Sequence, residues 1–110
     1  MSGSEVTEDQ IREIARKIGE QPGVVQVWLF GSHATGTAGP DSDVDLLAVY
    51  EEEPASRLSR MVELSDLIRP RPFALDVLVT GLESFLLRRG IAGTLASMVA
   101  QDGRVLYERA

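Results

Sequence analysis

Two aspartates stand two residues apart at the start of a strongly apolar run, Asp43-Val44-Asp45-Leu46-Leu47-Ala48-Val49. The run is typical of a β-strand, and Asp is among the residues least favoured there, so fold stability gives little reason for either acid. Residues two apart on a strand point to the same face, which places both carboxylates side by side. Two anions that close repel each other, and a divalent cation removes the repulsion. The spacing therefore predicts a metal-binding pair.

A glycine and a serine, Gly31-Ser32, end the preceding apolar segment, and ten residues separate them from Asp43. A chain that turns sharply here into a helical start exposes free amides, and such amides together with a hydroxyl can hold a phosphate. Gly-Ser after a strand is by itself more often a simple turn. Followed by Asp-x-Asp, it predicts a phosphate-binding turn, with Gly31, Ser32 and Ser42 as the candidate residues.

A third acid, Asp76, lies within another apolar run, Phe73 to Val79, which we predict to be a strand with this residue in its middle. A lone Asp buried in a strand is costly without a partner. If the strands that carry Asp45 and Asp76 are neighbours, the three carboxylates could share two magnesium ions about 3.5–4 Å apart.

Composition narrows the choice of metal and partner. The chain has no cysteine and one histidine, His33, so a bound metal must use mostly oxygen ligands, which favours hard cations such as magnesium. The formal net charge of −6 disfavours general nucleic-acid binding. Glu51, Glu52 and Glu53 are interpreted as a solvated face.

The sequence of the first half of the chain predicts two helical segments, two strands and the start of a third helix. Thr7 and Gln10 form a capping box for a helix from Glu8 to Gly19. The elements that follow are a strand from Val24 to Phe30 buried on both faces, a helical turn from Ser32 to Thr35 capped by Ser32, a turn over Gly39-Pro40-Asp41-Ser42, a strand from Asp43 to Tyr50, and a helix starting at Pro54.

The second half continues the alternation of helices and strands. The helix from Pro54 carries an apolar stripe of Leu58, Met61, Val62 and Ile68, and Pro70 and Pro72 stop it. Three elements follow the third strand: a helix with a Thr80/Glu83 capping box that ends near Gly90, a helix through Ile91, Leu95, Met98 and Val99 to Asp102-Gly103, and an edge strand from Arg104 to Glu108.

This order predicts an α+β fold in which helices pack on one face of a small mixed β-sheet and leave the other face for a site. At 110 residues, we expect one domain over 1–110. No segment reads as a signal peptide or a membrane span, so a cytoplasmic location is the default expectation.

The pattern of Gly31-Ser32, ten residues, Asp43-x-Asp45 and a later strand-borne Asp76 resembles the MNT-type minimal nucleotidyltransferases of the DNA polymerase β-like superfamily. The ending Asp102-Gly103-Arg104-Val105-Leu106-Tyr107-Glu108 also resembles the family's C-terminus. The resemblance implies a polymerase β-like nucleotidyltransferase fold and transfer of a nucleoside monophosphate from a nucleoside triphosphate, with AMP from ATP as the expected case. It further implies an antitoxin whose partner is a helical HEPN-family toxin, with a toxin tyrosine as acceptor.

Carried over by residue, the resemblance makes Gly31 and Ser32 triphosphate ligands, and Asp43 and Asp45 ligands of both magnesium ions. Asp76 would bind the catalytic metal and help activate the attacking hydroxyl. Many family members read Gly-Ser-Arg-Ala-Arg-Gly at this turn, whereas His33 and Thr35 replace both arginines here. The turn that the resemblance assigns to the triphosphate therefore carries less positive charge here than in many family members.

Two alternatives compete with this interpretation. Asp41-x-Asp43-x-Asp45 with Glu52 at the twelfth position matches part of a calcium-binding EF-hand loop, but the sixth position needs Gly for a sharp turn and is Leu46. The other alternative is an antitoxin with weak or absent catalysis that neutralises its partner by binding alone. The loss of both arginines keeps that alternative open.

Overall fold

In a computed structural model that describes residues 6–39, 42–71 and 73–109, four strands form one mixed sheet. They are β1 (Val24–Phe30), β2 (Val44–Tyr50), β3 (Leu75–Gly81) and β4 (Arg104–Glu108). The strand order is β3-β2-β1-β4. β1 is antiparallel to β2 and β4, whereas β2 and β3 are parallel. The predicted α+β class, its mixed sheet and the edge position of the last strand are confirmed.

Five helical segments accompany the sheet: α1 (Glu8–Gly19), α2 (Ser32–Thr35), α3 (Arg57–Leu67), α4 (Leu82–Arg88) and α5 (Leu95–Asp102). Within the described ranges, no helix is long and apolar enough to cross a membrane.

The first helix forms as predicted, with the same bounds. The Thr7 hydroxyl accepts a hydrogen bond from the Gln10 backbone amide at 3.1 Å, and the Gln10 side chain accepts one from the Thr7 amide at 2.9 Å. This reciprocal capping box satisfies two amides that a helix start leaves unpaired. The apolar stripe of α1 then packs on the sheet, with Ile11, Ile14, Ala15 and Ile18 buried.

Helices cover both faces of the sheet, although to different extents. On one face, α1 and α3 pack over strand residues that include Val27, Leu46 and Val77. On the other face, Phe85 of α4 and Val99 of α5 pack with Phe30, Leu47 and Val49. The expectation that helices cover one face only is therefore corrected. The cause is the apolar character of β1 and β2 on both sides, which requires cover on both sides.

The third helix begins later than predicted and buries fewer of its apolar residues. The Ser56 hydroxyl accepts from the Ser59 amide at 3.1 Å and caps the helix at Arg57, so Pro54 lies outside it. Leu64 and Ile68 are buried, whereas Leu58 and Val62 of the predicted stripe are 70% and 53% exposed. Pro72, predicted to help stop this helix, lies outside the described residues.

The predicted Thr80/Glu83 capping box is wrong, because β3 continues through Thr80 to Gly81. Another part of the chain contacts the start of this helix: the Glu53 carboxylate accepts hydrogen bonds from the amide of Gly81, the residue before α4, and from the Ser84 hydroxyl, both at 3.2 Å. Arg57 also donates to Glu53, at 2.8 Å. The interpretation of Glu53 as part of a solvated face is therefore also corrected. These donors, and Arg57 most of all, lower the pKa of the Glu53 carboxyl to about 2.

Two further local predictions have clear outcomes. The last helix begins at Leu95 rather than near Ile91, because the Thr94 hydroxyl caps it by accepting from the Ser97 amide at 3.1 Å. Leu46 lies inside β2, where the backbone is extended. The sharp turn that a calcium-binding EF-hand requires at this position is therefore absent.

Candidate functional site

Asp45 and Asp76 are direct partners in the register of the parallel strands β2 and β3. Neighbouring strands lie about 4.8 Å apart, and paired residues on parallel strands project to the same face. The two carboxylates therefore start from adjacent positions on one face of the sheet. The expectation that these strands are neighbours, on which the shared site depended, is confirmed.

Asp43 directly precedes β2 and is exposed, whereas Asp45 is half-buried. Burial raises the pKa of the Asp45 carboxyl, and the negative charges of Asp76 and Asp43 raise it further. The three acids are therefore close enough to repel one another. His33 has the opposite effect on this carboxyl and lowers the pKa of Asp45.

Asp76 is exposed and is the second residue of its strand, because β3 begins at Leu75 rather than at Phe73. The prediction that it lies in mid-strand is wrong. β3 is the end strand of the sheet, and the helices α4 and α5 pack on this face around Leu47 and Val49, beyond the acids. The acids therefore lie at the part of the second face that faces solvent, where a ligand can approach.

Gly31 brings the main chain directly against the Asp45 carboxylate. Its φ of 77° lies in the region that favours glycine, and a Cβ atom placed on it would lie 2.4 Å from an Oδ atom of Asp45. Both the conformation and the space thus require glycine here. The prediction that Ser32 caps the helical turn is corrected, because Gly31 is the N-cap and Ser32 is the first residue of α2.

The hydrogen bonds within the short helix α2 do not use its first amides. The Gly31 carbonyl accepts from the amides of Ala34 and Thr35, at 3.0 and 3.2 Å. The amides of Ser32 and His33 precede this first helical bond, as the leading amides of any helix do, and are suited to an anion. Since α2 follows β1, these amides lie on the β1 side of Asp45, and Asp76 lies on the other side.

Side chains near this turn hold the following loop. The His33 Nε2 atom lies 3.3 Å from the Ser42 carbonyl oxygen, and because a carbonyl only accepts, Nε2 carries the proton. The Ser42 hydroxyl accepts from the Gly39 amide at 2.9 Å, and its own amide donates to the Gly39 carbonyl at 3.1 Å. This bond closes the predicted turn, whose Pro40 and Asp41 lie outside the described residues.

Both positions where the related pattern has arginine are occupied by side chains engaged within the loop. His33 contacts Ser42, and the Thr35 hydroxyl lies 2.9 Å from that of Thr37 and 3.4 Å from the carbonyl oxygens of Gly31 and Ser32. Neither side chain adds a permanent positive charge beside the amides of α2. The shortage of charge on this side, predicted from sequence, is therefore present in the folded site.

The acids suit a hard cation, although they do not form a ready-made cluster. Among residues 6–39, 42–71 and 73–109, no three acidic, histidine or cysteine side chains stand together as a metal-ion site. The oxygen-only donor set nevertheless fits magnesium. The mutual repulsion that raises the pKa of Asp45 is the condition that a divalent cation relieves.

A groove of about 480 Å³ adjoins the acids on the side of β3. We call it the α3–β3 groove. Its lining comprises Asp45 and Asp76, one side of α3 and consecutive residues of β3, with Phe30 at its inner end; the named members on the helices and strands are Leu58, Met61, Val62, Ser65, Asp66, Arg69, Leu75, Val77 and Leu78. Sequence reasoning missed it because the apolar residues of α3 were assigned to the core.

Comparison with known proteins places this geometry in a family. The sequence profile of the nucleotidyltransferase domain matches residues 9–102. The protein adenylyltransferase MntA of Thermococcus cleftensis is 34% identical over 80 residues, which are 73% of this chain and 76% of that protein. A Methanocaldococcus jannaschii protein described as a protein adenylyltransferase is 33% identical over 63 residues, 57% of this chain but only 42% of that relative.

A solved structure adds support for the fold. A toxin–antitoxin structure with AMP-PNP contains a chain that superposes with a TM-score of 0.55 and 21% identity, covering 94% of this chain and 75% of that one. At this identity the likeness concerns the fold, and it agrees with the match of the domain profile.

Proposed function

The chain belongs to the nucleotidyltransferase domain family, and from that premise we propose that it moves AMP from ATP to a hydroxyl group of another protein. The observation that carries the proposal is the pairing of Asp45 with Asp76 across parallel strands, with the Gly31 turn pressed against Asp45. The adenylyl group and the protein acceptor are inferred from the relative MntA, whose name states that activity.

In the proposed reaction the acceptor oxygen forms a bond to the α-phosphorus while the bond from that phosphorus to the β-phosphate's bridging oxygen breaks. Pyrophosphate leaves with the electron pair of the broken bond, and Asp76 accepts the proton of the hydroxyl. The Ser32 and His33 amides hold the triphosphate, with Gly31 shaping the turn and Ser42 holding the loop beside it. These roles follow the positions of the residues around Asp45.

Asp43, Asp45 and Asp76 are the residues that would hold magnesium, for which two ions are expected. When bound, magnesium neutralises negative charge on the attacking and leaving oxygens. The chain's own contribution is to fix Asp45 on β2 and Asp76 on β3 and to keep the Gly31 turn packed against Asp45. A cytoplasmic site of action and a single domain over 1–110 stay predictions.

For the acceptor we propose a tyrosine of a helical HEPN-family toxin, with this chain acting as its antitoxin. The support is the toxin–antitoxin structure whose chain shares this fold and the relative called MntA.

The proposal is tested by incubating the purified chain with magnesium, ATP and the HEPN-family protein encoded beside it, and then measuring the intact mass of both proteins. We expect the partner to gain the mass of one AMP. An Asp43→Asn, Asp45→Asn double variant should lose the gain, whereas Glu52→Gln, an exposed acid after β2, should keep it. A partner mass that never rises, with any nucleoside triphosphate, contradicts the proposed activity.

The second candidate function is neutralisation by binding alone. It is favoured by one observation: His33 and Thr35, which stand where related sequences have arginines, are engaged in the loop and leave the triphosphate side short of charge. The double variant separates the two functions in cells that express the toxin. Protection equal to that of the wild type supports binding alone, and loss of protection supports catalysis.

A further inference from the structure

The α3–β3 groove has an apolar wall on α3, of which Met61 also packs against the core whereas Leu58 and Val62 are mostly exposed. Leu58, Met61, Val62 and Ser65 follow the i, i+3, i+4, i+7 spacing of one helix side and line it. Leu58 and Val62 are 70% and 53% exposed, while Leu64 and Ile68 bury the adjacent side of the helix. Apolar side chains that are exposed together and border a charged site are typical of a binding surface.

The groove also includes the open edge of the sheet. Four consecutive residues of β3, Leu75 to Leu78, line it, although successive residues of a strand project to opposite faces. A pocket contacts both kinds of residue only where it reaches the edge of the strand. Since β3 is the end strand, its outward amides and carbonyls are available there to a bound chain.

The sheet order fixes what each side of the acids can bind. From β1 to β3 the chain presents the Gly31 turn, then Asp45 and then Asp76; the groove contains both acids, reaches Phe30 and extends past Asp76 along β3 and α3. In-line displacement requires the attacking oxygen and the leaving oxygen on opposite sides of the phosphorus. If the leaving pyrophosphate is held at the amides of α2, the acceptor must approach from the side of Asp76. Among the described residues, the α3–β3 groove is a cavity that extends to that side.

We propose that the α3–β3 groove is the acceptor subsite, which binds an apolar segment of the acceptor protein and brings its hydroxyl to Asp76. This inference rests on the proposed function, because it assumes nucleotidyl transfer at Asp45 and Asp76. Leu58 and Val62 contact apolar side chains of that segment, and the edge of β3 hydrogen-bonds to its backbone. The volume, about 480 Å³, lies within the range of pockets that hold one or two large side chains.

The adenine base is the competing occupant of the groove. The 5′ oxygen that joins the nucleoside to the α-phosphorus lies across the line of attack in an in-line displacement, so this line directs the base to neither side. The groove includes Asp45 and Asp76 and carries an ion pair at one end, where the Arg69 and Asp66 side chains lie 3.9 Å apart. The outcome of the kinetic test distinguishes these occupants.

The test uses a Leu58→Gln, Val62→Gln double variant of the full chain and a matched control, Leu87→Gln with Ile91→Gln. The control residues, at the end of α4 and after it, are 70% and 51% exposed, so both variants remove equal apolar exposure at sites that do not hold the fold together. Binding of the HEPN-family protein is measured by titration calorimetry without nucleotide. Steady-state transfer then gives KM for acceptor and for ATP.

We expect the groove variant to weaken partner binding and to raise the acceptor KM by about tenfold, as loss of two apolar contacts predicts, with ATP KM and kcat close to wild type. The control should match wild type in all four values. A rise in ATP KM instead assigns the groove to the base and overturns the proposal. Equal weakening by the control, or a wild-type dimer that the groove variant dissociates, also overturns it.

Failure of the proposed function has a different signature. If wild type transfers nothing yet binds the partner, nucleotidyl transfer fails, while loss of binding in the groove variant still identifies the groove as the partner's surface. If wild type transfers AMP and the groove variant does so with unchanged acceptor KM, the acceptor subsite lies elsewhere and the proposed activity stands.

Discussion

At the residue scale, the site depends on close contact between the main chain of Gly31 and the carboxylate of Asp45. The positive φ of Gly31 and the 2.4 Å separation between a Cβ there and Asp45 Oδ leave room only for hydrogen. Sequence pattern alone indicated that Gly31-Ser32 and the acids belong together. It could not indicate this contact, because the contact depends on the antiparallel register that pairs Phe30 with Asp45.

Gly31→Ala should abolish transfer and reduce the free energy of unfolding by more than the roughly 1–2 kcal/mol of a left-handed L residue, because its φ of 77° and ψ of −158° lie in a region open essentially to glycine alone. Gly36→Ala is the control for a left-handed conformation alone, since its φ is 81° and its ψ 14° and its Cβ meets open space among the described residues. Thermal unfolding and transfer rate are measured for both. Retained activity in Gly31→Ala would contradict the assigned contact with Asp45.

Asp45→Asn should abolish transfer and yet stabilise the metal-free protein. Because burial and the other acids raise the pKa of Asp45 in the folded state, its charged form is less favourable there than in the unfolded chain. The gain should therefore be present near neutral pH and disappear as the pH falls below the ordinary range of an Asp. After allowance for solvent screening, we expect Tm to rise by up to about 3 °C.

A Tm for Asp45→Asn at or below that of the wild type at neutral pH would show that the acids do not repel one another as described. Glu52→Gln is the control for removal of one negative charge from a chain of net charge −6.

At the element scale, most boundaries followed from local sequence. The capping box of α1, the apolar run of β1 and the Gly36 end of α2 are encoded within a few residues, and the structure reproduces them. The predictions failed where a distant residue decides the outcome. Glu53 accepts from the Gly81 amide at the start of α4 from 28 residues away, and no local pattern contains that contact.

The partition of α3 into core and groove sides could not be predicted for a related reason. Its apolar residues extend around more than one side of the helix, and periodicity does not say which side the sheet covers. The position of β3 as the end strand leaves one of those sides unpacked. The α3–β3 groove is therefore a consequence of strand order, which the sequence did not supply.

Glu53→Gln should reduce the free energy of unfolding by at most about 1 kcal/mol, because Glu53 is partly exposed and solvent screens its ion pair with Arg57. Its pKa is lowered to about 2 in the folded protein, so its contribution is present above the ordinary Glu pKa and is lost as the pH falls toward 2. The difference between wild type and variant should shrink over that interval in thermal or denaturant unfolding. A pH-independent difference would contradict the role of the charge.

At the scale of the whole molecule, the acids, the Gly31 turn and the groove form one continuous strip across the sheet from β1 to the edge of β3. The helices α4 and α5 pack on the same face beyond the acids. In the proposed reaction, the triphosphate and the acceptor would lie on opposite sides of the carboxylates along this strip. Binding of the partner would then complete the site by filling the groove.

Magnesium should raise the Tm of the wild type, because a ligand that binds only the folded state stabilises it by an amount that grows with its concentration. At ten times Kd the expected stabilisation is about 1.4 kcal/mol. Asp45→Asn should show little of this increase, and sodium chloride at equal ionic strength should not reproduce it in either protein. Equal increases in both proteins would mean that the ion binds elsewhere.

The central claim, nucleotidyl transfer at Asp45 and Asp76, is tested most directly by the fate of the α-phosphorus. The chain is incubated with magnesium, its HEPN-family partner and ATP labelled on either the α- or the γ-phosphorus, and the partner is then counted. We predict label on the partner from α-labelled ATP alone, and none with the Asp43→Asn, Asp45→Asn variant. Label from γ-labelled ATP, or none from either with the wild type, would contradict the account.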